Sequence, residues 1–130
     1  MMKRILSILL IALLFISMLS FVCLADDSAY WTALDKYSKA VSSGDKNAIL
    51  SAVKLIDKAY SSPKNATEYQ RVAFPVLKAA LILEEQTKFD QAISYYKKAL
   101  KYITWLDTNT SASYKDHLLN LPRVIDQLNV

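Results

Sequence analysis

One histidine, one cysteine and twelve carboxylates are the residues from which this chain could assemble a reactive centre. His117 follows Asp116 directly, and adjacent residues of a helix point apart, so the two make no dyad by proximity. There is no second histidine and no HExxH-like spacing, hence no metal-ligand pattern. A chain with Gly44 as its only glycine has no glycine-rich phosphate loop. Glu84 and Glu85 form a carboxylate pair, but neighbouring acids diverge, and Glu84 stands four residues before Lys88, the spacing of a solvated ion pair. Asn65 and Asn109 open glycan-acceptor triplets, which matter only on a eukaryotic secretory route. The residues therefore read as a protein without catalytic activity, metal or cofactor.

What remains distinctive is aromatic, above all the eight tyrosines. They must be positioned by helices. One glycine and three prolines are few punctuators for 130 residues, and apolar residues recur at three- and four-residue steps, so the expected fold class is all-α. Tyr30, Leu34, Tyr37 and Val41 mark a helix over 28–43, stopped by Gly44. Asp45 caps a second helix over 46–60, whose apolar face is Ile49, Ala52, Val53, Ile56 and Ala59. Thr67 and Gln70 have capping-box spacing at the start of a third, whose middle is apolar nearly all round and whose Pro75 predicts a kink or a late first turn. Thr87 is the expected N-cap of a fourth, with a core stripe of Phe89, Ala92, Ile93, Tyr96, Ala99, Leu100 and Ile103. A fifth follows residue 113, with a break expected at Pro122. Short connections make consecutive helices antiparallel.

The first 25 residues stand apart. Lys3 and Arg4 precede an apolar run from Ile5 to Leu24, and Cys23 and Ala25 occupy the small-residue positions of a signal-peptidase site. The expectation is a signal peptide over 1–25, cleaved between Ala25 and Asp26, and one domain over 26–130 in an exported protein, secreted or held at the cell envelope. The same run is long enough to remain as a single membrane anchor, and Cys23 could carry lipid, although Phe21 and Val22 are large for that motif. Cleavage removes the only cysteine, so no disulfide staples the domain. It also removes Lys3 and Arg4, lowering the net charge from +4 to +2, which gives no ground for expecting a nucleic-acid partner.

Ala52–Tyr60 and Ala92–Leu100 repeat one pattern, Ala, three residues, large, any, Lys, Ala, large, forty positions apart. Small residues at the two alanines allow close helix approach. In its order of small, aromatic and small at Ala92, Tyr96 and Ala99, with Phe89 opening the helix and Ala80 at the crossing point of the helix before it, the chain resembles the tetratricopeptide repeat family. Ala79, Leu83 and Thr104 depart from the family's usual residues, and forty exceeds its repeat of about 34. The resemblance implies antiparallel hairpins stacked as a short α-solenoid of about five helices. A compact helical bundle is the alternative. It also implies a groove lined by the first helix of each hairpin, placing Phe74, Leu77, Leu81 and Glu84 toward a protein or peptide partner or under a capping last helix. Tyr95, Tyr102 and Trp105, on a flank of the fourth helix, read either as a second contact surface or as packing beneath the fifth. The expected function is a non-catalytic interaction module or scaffold. A membrane-tethered structural subunit and a small-ligand carrier or enzyme with a cleft between helices are the alternatives.

Overall fold

The computed structural model describes residues 18–129, with side chains from Asp27 onward. The stretch from Met1 to residue 17 lies outside the described residues, and with it most of the expected signal segment. Five helices pack against one another: α1 Met18–Ser43, α2 Lys46–Ala59, α3 Ala66–Glu85, α4 Phe89–Asn109 and α5 Lys115–Leu128. The first is longer than the 28–43 read from its periodicity, its backbone running helical through Ala25 and Asp26.

Local chemistry fixes the ends. Gly44 takes φ 73°, and the Gly44 and Asp45 amides turn back to the carbonyls of Val41 and Ala40, the left-handed stop that a missing Cβ permits. Asp45 then caps α2 by accepting from the Ala48 amide. The cap of α3 is Asn65, not Thr67: its side chain accepts from the Glu68 amide, and Glu68 reaches back to the Lys64 amide. Thr87 is no N-cap. It closes α3 at φ 60° while the Lys88 amide bonds the Leu83 carbonyl, the same turn as at Gly44 but built on a β-branched residue. Pro75 and Pro122 each sit inside a continuous helix, so neither breaks its element. Each costs one helix hydrogen bond, Pro75 that of the Arg71 carbonyl four residues back.

The core follows from apolar faces meeting. The α3–α4 hairpin makes the most extensive contact, because Ala79, Ala80, Ala92 and Ala99 are fully buried and let the axes approach. Val72, Val76, Tyr96, Ile103 and Leu106 fill the space around them. Phe89, expected in the core stripe, is instead 43% exposed at the helix start, and Leu100 is half-buried.

Among the described residues each helix approaches the backbone of its sequence neighbours only. Contacts between next-but-one helices are made by long side chains. Arg71 of α3 lies over Trp31 of α1, Phe74 of α3 meets His117 of α5, and Lys98 of α4 reaches Asp57 of α2. The odd-numbered helices thus form one layer and the even-numbered helices the other. Residues about forty apart stand side by side across each layer, the same offset as the repeat in sequence.

Candidate functional site

The layer of α1, α3 and α5 carries an apolar seam that the core absorbs only in part. Three residues spaced as one helix face, Leu34, Tyr37 and Val41, recur forty positions on as Phe74, Leu77 and Leu81, and again as Tyr114, His117 and Leu121. Leu34, Tyr37, Leu77 and Tyr114 are half-buried, whereas Val41, Phe74 and Leu81 are exposed. Large apolar side chains left exposed in register on neighbouring helices are the informative exception to burial. Phe74 is partly covered from α5, with ring centroids 6.0 Å from Tyr114 and 5.9 Å from His117. Leu121 turns inward and is buried. Toward the other end the seam stays open.

That open end is a cleft of about 560 Å³. Val41, Ile49, Leu81 and Ile82 supply its apolar wall, and Lys46, Lys78, Glu84 and Glu85 its charges. The Lys46 ammonium donates to Glu85 Oε1 at 2.7 Å and holds that carboxyl below its ordinary range. Glu84 does not pair with Lys88, because α3 ends at Glu85. It accepts instead from the Tyr96 hydroxyl at 2.5 Å, tying the cleft to the α3–α4 core. Burial, then the bond to Glu84, pushes the Tyr96 phenol well above its ordinary value, so at neutral pH it is a donor and not a nucleophile. Lys78 makes no ion pair within 4 Å among the described residues. An apolar wall edged by one uncommitted cation suits an apolar anchor with polar flanks.

The three flank aromatics of α4 separate. Tyr102 belongs to the interior: it is 4% exposed, and its hydroxyl donates to Asp57 Oδ1 at 3.1 Å. Trp105 is half-buried and stacks on Tyr69 with centroids 4.0 Å apart and planes 5° from parallel. One face of its ring is therefore taken by α3. Tyr95 is half-buried as well, beside the α2–α4 seam.

One cluster had almost no signal in sequence. The Arg71 guanidinium lies 4.7 Å from the centroid of Tyr30, 5.0 Å from Trp31 and 5.9 Å from Tyr60. It donates to the Tyr60 hydroxyl at 2.7 Å and pairs with Asp27 at 3.4 Å, while Tyr60 donates to Asp27 at 2.5 Å. Burial, then the bond to Asp27, pushes the Tyr60 phenol up to about 12. The cluster fastens α1 to α2 and α3 with a cation that already fills the aromatic site, so it is a clamp and not a vacant cage. Only the adjacency of Tyr30 and Trp31 hinted at it, and nothing local pointed to Arg71.

Among the described residues no three His, Cys, Asp or Glu side chains converge as metal ligands, and no helix is long and apolar enough to cross a membrane. Compared with protein families, curated proteins and solved structures, the chain matches none.

Proposed function

We propose that the chain is an exported, non-catalytic interaction module, its hairpins stacked in the manner of tetratricopeptide repeats. Its expected partner is a protein segment that lays an apolar face along α1 and α3. The observation that carries this reading is the exposed apolar seam, with Val41 and Leu81 in register at the repeat offset and Phe74 two turns before Leu81 on the same helix. A buried repeat residue needs only its neighbours; an exposed one in register offers a surface. The apolar run behind Lys3 and Arg4, read as a leader over 1–25, supports a site of action outside the cytoplasm.

The cleft beside Leu81 favours a second reading, a carrier of a small apolar ligand. The two separate by size of occupant. Replacing Val41 and Leu81 together by aspartate should abolish co-elution with a protein partner from envelope extracts while the helical circular-dichroism spectrum is kept. A variant that still co-elutes with that partner removes the seam from the account. Native protein that carries a small molecule and no protein partner favours the carrier.

A further inference from the structure

The opposite layer is as one-sided in charge as the seam is in apolarity. Lys54 and Lys58 on α2 and Lys97, Lys98 and Lys101 on α4 are all exposed. Lys54 and Lys58 stand one turn apart on their helix, Lys97 and Lys101 one turn apart on theirs, and Lys58 and Lys98 occupy equivalent positions at the forty-residue offset. Lys98 reaches across from α4 to Asp57 at 2.5 Å, which brings the two rows side by side. Asp57 is the only acid among them, since Asp90 and Asp107 lie at the two ends of α4. Five lysines against one aspartate give this face +4, whereas the chain from Asp26 onward carries +2 in all, so its remainder carries −2. Leu55, 40% exposed, borders the rows on α2, and Tyr95 lies half-buried between the helices.

We propose that this α2–α4 face rests on an anionic lipid bilayer, leaving the α1–α3 seam turned outward. Charge complementarity selects the occupant. All five cations are lysines, hydrated point charges on flexible stems that follow a diffuse surface potential, and no arginine fork is present on these rows to grip a single phosphate or carboxylate. Lysine stems lie along apolar surface while their ammonium groups reach headgroups, and Leu55 and Tyr95 supply the adjoining apolar and amphipathic contact. None of these five lysines lines the cleft beside Leu81. The inference is independent of what the seam binds.

The test uses the full chain in two fourfold variants of equal charge. One carries Lys54→Gln, Lys58→Gln, Lys97→Gln and Lys101→Gln, sparing the Lys98–Asp57 pair. The other carries Lys36→Gln, Lys64→Gln, Lys88→Gln and Lys115→Gln, all exposed and off this face. Co-sedimentation is measured with phosphatidylcholine vesicles with and without phosphatidylglycerol. The apolar N-terminal run is common to every protein, so the phosphatidylglycerol-dependent difference reports the lysines. At about fivefold per lysine, the face variant should lose roughly a hundredfold or more in that partitioning, and the control less than tenfold. Added salt should weaken the parent's binding. Equal losses in the two variants, or parent binding that ignores phosphatidylglycerol, would overturn the proposal; unchanged circular dichroism confirms that both variants are folded.

Discussion

Replacing Arg71 by alanine should loosen the whole first hairpin, although the residue lies on α3. Its side chain is 22% exposed and faces three rings, Tyr30, Trp31 and Tyr60. A partly desolvated cation over aromatic faces contributes about 1–2 kcal/mol in all, the hydrogen bond to Tyr60 about 1, and the partly exposed pair with Asp27 less than about 1. These overlap, so the expected loss is about 2–3 kcal/mol. For a domain of this size that is a fall in Tm of roughly 10–20 °C. Arg71→Lys keeps the charge but not the planar fork, and should lose about half as much. Urea unfolding followed by circular dichroism measures both, and the slope adds information. If α1 detaches from the folded remainder, the slope falls with the midpoint, because less surface is left to expose. An Arg71→Ala loss below about 0.5 kcal/mol, within the range of ordinary surface substitutions, would refute the clamp. So would a lysine variant as damaged as the alanine one, since the aromatic faces would then hold the charge no better than water does.

Thr87→Gly should stabilise the protein by about 0.5–1 kcal/mol in thermal unfolding, because glycine holds φ 60° without the steric cost a β-branched residue bears there; a loss would mean that the Thr87 side chain has a role beyond the turn. Alkaline pH should unfold the protein through its tyrosines. Tyr60 is raised from 10.0 to about 12, chiefly by burial, and burial raises Tyr30, Tyr37, Tyr95, Tyr96 and Tyr102 as well. A phenol whose folded value lies above its unfolded value contributes stability that is complete below pH 10 and lost as pH rises through the folded value. Ultraviolet difference titration should therefore show late tyrosine ionisation coinciding with loss of helix; ionisation at the free-tyrosine value with helix retained would contradict it. Intact mass of protein from fractionated cells should show a chain beginning at Asp26, and recovery of the Met1 form in membranes would instead support the anchor.

The sequence reading succeeded where causes are local. Gly44, Asp45 and the alternating small and large residues of α4 act within one turn or one helix, so the stop, the cap and the close α3–α4 packing were legible. Caps failed where two candidates competed: Asn65 and Thr67 both can cap, and Glu68, three residues after Asn65, decided between them. Thr87 failed for a different reason, since a residue forced left-handed by the turn has the same letters as an N-cap. Pro122 does not break its helix and Pro75 does not mark a late first turn, because burial of the surrounding apolar faces outweighs one lost hydrogen bond each. The site was half legible. Phe74, Leu77, Leu81 and Glu84 could be singled out by the register of the resemblance, and all four stand in the seam or its cleft with exposed or half-buried side chains, Glu84 committed to Tyr96. The burial of Tyr102, the stacking of Trp105 on Tyr69 and the Arg71 clamp depend on which helices meet, and helical periodicity contains no such information.

The central claim is that the α1–α3 seam receives a protein partner. Its most direct test places a photo-reactive residue at Leu81, at Val41, or at Gln127, an exposed control position on α5, in the full chain expressed in its own cells. The account predicts one discrete adduct of the same mass from Leu81 and from Val41, and none from Gln127. No adduct from either seam position, or the same adducts from all three, would contradict it.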